Sequence, residues 1–411
     1  MAEKYFEEDA KKFQKLIESA GDNLCLRVMA YFKDSDHSLK DQSLYLAITT
    51  DGLKWKALNG NNPVYTVEGI GSNLIRDPYI VKKADGTYLM IATDWTLYGA
   101  DKVHANHRLY DGSISKEDSW DYETDNYWDV NTSCLIFADS PDMIHWTNPR
   151  QIQMVSDELK KSFYNNCGNY MHCWAPEVVF DTDADGKAKV IHTAADGKEY
   201  RYGVIWSGDG EENGHRKISD DKEYNETWVN WTNDFETFTA GEIYFANSSA
   251  NIDASVLTDT LSVSAAPGSK KEYCLFFKDQ VEHQHGIGQV VSDSLDAHAF
   301  DARKDFFNVI FSKDKGNGDI TKVTKSLYNE GEGPFAFRPY TNRDLWYLFV
   351  DCHDAHAEKV FGAFSTTDLR NWKSENDATE FPGGVIRHGS TVSVTVEEAL
   401  SLVRAFGLEN I

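Results

Sequence analysis

At 411 residues the chain could form two or three ordinary domains, yet closed all-β architectures of this size also occur as one unit. A formal charge of −25 repels polyphosphate and anionic lipid, which argues against nucleic acid or a membrane surface as partner and favours a neutral ligand. Aromatic residues make up 13% of the chain, with 11 Trp, 20 Tyr and 22 Phe against only 9 Pro, a composition suited to many short strands and to stacking on a flat ligand.

The N-terminal segment Met1-Ala2-Glu3-Lys4-Tyr5-Phe6 has no apolar core, so the expectation is a cytoplasmic protein without an export signal. Cys25, Cys134, Cys167, Cys173, Cys274 and Cys352 lack zinc-type spacing, and in that compartment no structural disulfide is expected. Phe6, Phe13, Leu16 and Ile17 recur at helical spacing among charges, which predicts an amphipathic surface helix within residues 1–22. Residues 27–32 and 44–49 read as strands. Residues 77–83 alternate apolar and polar, Ala84-Asp85-Gly86-Thr87 signals a hairpin, and residues 88–93 return. A long loop, 96–131, precedes a third strand at 133–138.

This strand and turn pattern repeats. Acidic residues open β-runs at Arg76-Asp77-Pro78, Ala175-Pro176-Glu177, Ile252-Asp253-Ala254 and Glu332-Gly333-Pro334, and an Asp stands four residues before an aromatic at Asp51…Trp55, Asp142…Trp146, Asp234…Phe238 and Asp368…Trp372. Such repetition is the signature of blades around an axis. Four units are explicit, and a fifth is assembled from His388-Gly389-Ser390 near the C-terminus and the strands at 27–32 and 44–49. Joining both ends of the chain in one sheet removes an edge and closes the ring. The predicted fold is therefore all-β, a five-bladed β-propeller over residues 23–395. Thr395-Val396-Glu397-Glu398 resembles a capping box opening a last helix over residues 396–411. Connectivity places the loops 33–42, 96–131, 194–222, 280–286 and 351–358 on one face, with His37, His104, His107, His215, His283, His285, His353 and His356 among them, eight of the chain's 13 histidines.

The segments Arg76-Asp77-Pro78, Trp174-Ala175-Pro176-Glu177, Asn251-Ile252-Asp253, Glu332-Gly333-Pro334 and Arg387-His388-Gly389, in this order, resemble glycoside hydrolase family 43, the five-bladed propeller glycosidases. The resemblance implies inverting hydrolysis by three carboxyl groups. It makes Asp77 the general base that activates water, Glu332 the general acid and Asp253 the residue that orients that acid and tunes its pKa. Inversion requires two carboxyl groups about 6.5–9.5 Å apart, a spacing that residues on different blades across a funnel can meet. A neighbouring Asp253 would hold the proton on Glu332 by like-charge repulsion, and Arg76 or Arg338 would hold Asp77 or a neighbour ionised. The plainer reading, in which acidic residues at strand starts cap turns, applies best to Glu177, read as a structural or substrate-contact residue.

Further substrate-binding candidates are Arg76, Trp95, Trp174, Phe335, Arg338 and His388, with the loop aromatics Tyr98, Trp120, Tyr127 and Trp128 behind them; Trp55, Trp146 and Trp372 repeat with the blades and read as core. No cofactor is required. Relatives often hold a water cluster or a structural calcium ion on the axis, which makes His388 a candidate contact, although histidine suits a hard cation poorly. His353 and His356, with Asp351 and Asp354, read as a sugar-contacting turn rather than a metal pair. The expected activity is exo-acting release of pentose units from neutral oligosaccharides, foremost an α-L-arabinofuranosidase. A β-xylosidase or a galactan side-chain hydrolase would share the same carboxylates, and a non-catalytic carbohydrate-binding propeller is the alternative of another class. Oligomeric state is not legible in the sequence.

Overall fold

The computed structural model describes residues 6–34, 40–96, 130–156, 159, 173–209, 225–245, 250–266, 268–279, 286–302, 307–311, 331–351 and 361–409. They form five four-stranded antiparallel sheets, plus the small hairpin His192–Thr193 with Glu199–Tyr200. From the axis outward, the first blade is Arg76–Lys82, Tyr88–Thr96, Val130–Ser140 and Thr147–Gln153, and the second is Trp174–Val179, Tyr202–Asp209, Asn225–Thr232 and Glu242–Phe245. The third is Asn251–Leu257, Tyr273–Asp279, Ile287–Ser292 and Phe307–Phe311, and the fourth is Glu332–Phe337, Trp346–Asp351, Phe361–Thr366 and Lys373–Ser374. The closing blade takes its innermost strand, Ile386–Ser393, from the C-terminus and Arg27–Lys33, Tyr45–Thr49 and Lys56–Ala57 from the N-terminus. Innermost strands touch in a closed circuit, first to second, third, fourth, closing and back to first. The chain is a five-bladed β-propeller.

Middle strands are apolar on both faces because each face enters a different core. Along Tyr88–Thr96, Leu89 and Ile91 join the cluster shared with the second blade, whereas Tyr88, Met90 and Ala92 join the cluster shared with the closing blade. Likewise Leu275 and Phe277 face the second blade while Cys274 and Phe276 face the fourth. The period of two therefore sorts residues between neighbouring blades instead of between core and water. Five such clusters fill the five blade-to-blade seams.

The helices near the two ends of the chain cover one seam. Glu7–Ala20 buries Ala10, Phe13 and Ile17, and Val396–Phe406 buries Ala399, Leu400, Leu402 and Val403, against Val28 and Leu46 of the closing blade and Met90 of the first. Leu16, counted in the apolar stripe by its spacing, is instead exposed. The capping box is present: Thr395 Oγ1 accepts from the Glu398 N–H at 3.2 Å, and Glu398 Oε2 accepts from the Thr395 N–H at 2.8 Å. Among the described residues, no helix is long and apolar enough to cross a membrane. Cys25, Cys173 and Cys274 are buried thiols.

The Asp-x-x-x-aromatic motif is a turn. In four blades the Asp carboxylate accepts the N–H groups two and three residues on, as from Ile144 and His145 to Asp142 at 2.8 Å each, and from Glu236 and Thr237 to Asp234 at 2.9 and 2.8 Å. Asp51 and Asp368 repeat the arrangement. Burial alone would raise the Asp234 carboxyl, but the Thr237 and Glu236 N–H groups hold it down at about 2. The aromatic that follows returns to the core, where Trp55 is buried, Trp146 packs on Tyr65 and Trp372 packs edge-on against Phe276.

Candidate active site

Each innermost strand bulges at the same place. Arg76 pairs with Thr93 and Tyr79 with Ile91, so Asp77 and Pro78 together face Ala92. The same two-against-one count sets Ala175 and Pro176 against Trp206, Asp253 and Ala254 against Phe277, Gly333 and Pro334 against Val350, and His388 and Gly389 against Tyr31. The first residue of every bulge is left-handed, with φ of 48° at Asp77, 46° at Ala175, 56° at Asp253, 52° at Gly333 and 30° at His388. For the four that carry a Cβ this costs about 1–2 kcal/mol each. Part of that cost is offset by hydrogen bonds from blade to blade. The N–H of Ala175 donates to Thr93 Oγ1 at 2.8 Å, that of Asp253 to Ser207 Oγ at 2.8 Å, that of Gly333 to Asp253 Oδ2 at 3.1 Å and that of His388 to Asp351 Oδ2 at 2.8 Å. Four of the five bulges are thus tied to the preceding blade.

This register corrects the apparent repeat of acidic openings. Asp77, Ala175, Asp253, Gly333 and His388 occupy one position, Glu332 stands one residue before it, and Glu177 stands two residues after it. Glu177 is accordingly no counterpart of Asp77. Its Oε1 accepts the Val256 N–H at 2.8 Å, tying the second blade's inner strand to the third's, and burial pushes its carboxyl up to about 8 despite that bond.

The bulges turn Asp77, Asp253 and His388 toward one centre, where Glu332 joins them. The His388 imidazole lies between the carboxylates: Nδ1 is 3.7 Å from Asp77 Oδ1, while Nε2 is 3.8 Å from Asp253 Oδ2, 3.7 Å from Glu332 Oε1 and 3.5 Å from Asp351 Oδ2. All four groups are nearly buried, His388 retaining 13% side-chain exposure and Asp77 10%. Glu332 also carries two cations, with Lys278 Nζ 2.7 Å from Oε2 and Arg387 Nη2 against Oε1. Arg387 continues to Asp351 at 3.1 Å and Asp34 at 3.4 Å, and Asp34 reaches Arg76 at 3.4 Å. Asp77, Asp253 and His388 themselves line an axial channel with about 40 Å³ of free space, room for a water or two but not for a sugar ring.

A family model described as a probable glycosyl hydrolase domain, of the family-43-related type, matches residues 22–399. The chain belongs to the family-43-related glycosyl hydrolases. Several solved structures are similar to this hydrolase. An α-L-arabinofuranosidase from Clostridium thermocellum ATCC 27405 shares 12% identity over 90% of this chain and 90% of that one, with a TM-score of 0.46. The α-L-arabinofuranosidase from Lactobacillus brevis shares 12% over 76% and 75%, at 0.39, and an exo-1,5-α-L-arabinanase from a bovine ruminal metagenomic library shares 14% over 74% and 76%, at 0.39. No curated protein matches the chain.

The remaining candidates of the hydrolase divide by position. Trp174, one residue before its bulge, is at the carboxylate end of its strand, and Arg76 holds the corresponding place in the first blade. Trp95 lies on Tyr88–Thr96, its backbone paired with Asn131, and its side chain is outside the described residues. Phe335 and Arg338 are not brought to the carboxylates. Phe335 is buried and stacked on Phe349 at 5.3 Å; Phe335 and Arg338 line a second cavity further along the inner strands, where Arg338 pairs with Asp344 at 2.7 Å and lies 4.6 Å over the Trp346 ring. The physical reason is length: Arg338 follows the end of the strand Glu332–Phe337, six residues from Glu332 and at most roughly 20 Å away at about 3.3 Å per residue. Tyr98, Trp120, Tyr127, Trp128, Asp354 and the eight loop histidines lie outside the described residues.

Ligand atoms of Asp253, Glu332 and His388 lie within 4.8 Å of one another, the geometry that suggests an axial cation. The donor chemistry fits calcium poorly. Both Glu332 oxygens already face cations, and the third donor is an imidazole nitrogen rather than oxygen. Lys278 and Arg387 are the residues that sequence reasoning left out of the site. The signal for Lys278 was a lysine following the apolar run of the strand Tyr273–Asp279, and Arg387 stood in a quoted tripeptide beside His388.

Proposed function

We propose that the protein is an inverting, exo-acting glycosidase that releases pentose units, foremost α-L-arabinofuranose from neutral oligosaccharides. The observation that supports this reading is the gathering of carboxyl groups around His388, with Asp77 3.7 Å from Nδ1 and Glu332 3.7 Å from Nε2. Inversion, which the family-43 resemblance implies, uses carboxyl groups about 6.5–9.5 Å apart rather than the close pair of about 5–5.5 Å used in retention. In this reading Asp77 takes a proton from water as its oxygen bonds to the anomeric carbon, and Glu332 gives a proton to the departing oxygen. Asp253, through the Gly333 N–H, fixes the turn that carries Glu332. The pentose is read from the family-43 resemblance of the five segments. A panel of nitrophenyl pentosides and small arabino- and xylo-oligosaccharides tests the proposal, with wild type and Glu332→Gln assayed side by side. Release of arabinose by the wild type and a loss of about 10²–10⁴-fold on oligosaccharides in the variant are expected. Hydrolysis of no pentoside, or equal activity in the variant, would overturn it.

A further inference from the structure

Lys278 has no place in the mechanism described so far, yet its geometry is specific. It sits on the second strand of the third blade, paired with Ile252, the residue before Asp253. From there its side chain crosses to the fourth blade and sets Nζ 2.7 Å from Glu332 Oε2, with only 6% of the side chain exposed. Lysine is rarely buried to this degree, and a buried ammonium is costly unless a charge answers it. Its partner is the carboxyl group proposed to donate the proton, so the ammonium is fully answered only as that proton leaves. Arg387, on the other oxygen, is divided among Glu332, Asp351 and Asp34.

We infer that Lys278 is a positioning residue for glycosidic bond cleavage, acting through Glu332; this rests on the reading of Glu332 as the acid. In the step concerned, the O–H bond of the Glu332 carboxyl breaks and its electron pair stays on the carboxylate. The proton goes to the leaving oxygen, which also keeps the electron pair of the broken C–O bond, while water oxygen bonds to the anomeric carbon and its proton passes to Asp77. Negative charge therefore develops on Glu332 in the transition state. A fixed ammonium 2.7 Å away stabilises that charge as it forms and needs no reorganisation to do so. Lys278 also holds the carboxyl plane, so that Oε1 stays on the His388 side, 3.7 Å from Nε2.

Dependence on the leaving group separates this role from simple support of the blade seam. A sugar or alkyl leaving group needs the proton, whereas a dinitrophenolate departs without it. For Lys278→Met, kcat/KM on a pentose disaccharide is expected to fall roughly 10²-fold and on the dinitrophenyl pentoside less than tenfold, while Lys278→Arg restores most of the loss. Lys278→Gln supplies the same comparison should the Met variant not fold. An equal loss on both substrates would overturn the inference and leave Lys278 a seam residue. Glu332→Gln is run in parallel. If its loss does not depend on the leaving group, the acid assignment itself fails; if it does while Lys278→Met shows no such dependence, only the role of Lys278 fails.

Discussion

Replacing Glu177 with Gln keeps the shape and the acceptor for the Val256 N–H but removes a carboxyl that burial holds at about 8 against an ordinary 4.5. Between those values the native protein keeps the proton and the unfolded chain has lost it. The native state thus binds more protons, and stability falls as pH rises from about 4.5 to about 8. At about 1.4 kcal/mol per unit the whole window is worth about 5 kcal/mol, and the opening of this carboxyl onto the axial channel reduces that to about 2–4 kcal/mol. Thermal or urea unfolding of both proteins at pH 4.5, 6, 7 and 8 reads the effect. The variant should match wild type within about 0.5 kcal/mol near pH 4.5 and gain on it steadily to pH 8. Parallel curves across that range would refute the assignment of a protonated Glu177 at the centre of the propeller.

Gly333→Ala tests the bulge that carries Glu332: φ is 52°, and an added Cβ would lie 2.8 Å from His388 Nδ1. The ring must move, so kcat/KM should drop at least about 10²-fold while the fold persists, as checked by circular dichroism alongside kinetics. Asp234→Ala removes the acceptor of two turn N–H groups and should cost about 1 kcal/mol in urea unfolding at pH 7. Because the Asp234 carboxyl is depressed to about 2, its contribution is present above the ordinary carboxylate value and is lost as pH falls toward 2, so variant and wild type should converge in acid.

The blade pattern was legible because it is local. Alternation, hairpin signals and the Asp turns each depend on a few adjacent residues, and the closure between the chain ends followed from counting strands. The order of the segments was legible for the same reason. What misled was the alignment of acidic residues by type: Glu177 looked like a partner of Asp77, but the left-handed position in its blade is Ala175, marked by the Pro that follows as in Asp77-Pro78 and Gly333-Pro334. The site's ion pairs were not legible, since Lys278 and Glu332 are 54 residues apart in the chain and meet only across a blade seam. Phe335 and Arg338 stand away from the carboxylates through distance along the chain, which motif proximity does not measure.

Inversion requires Asp77 to activate water on the side of the sugar opposite Glu332. Proton NMR of a pentoside digest, followed from the first seconds before mutarotation, reports the anomer initially released. An inverted anomer is expected. A retained anomer would contradict the assignment of Asp77 as base and with it the arrangement of roles around His388.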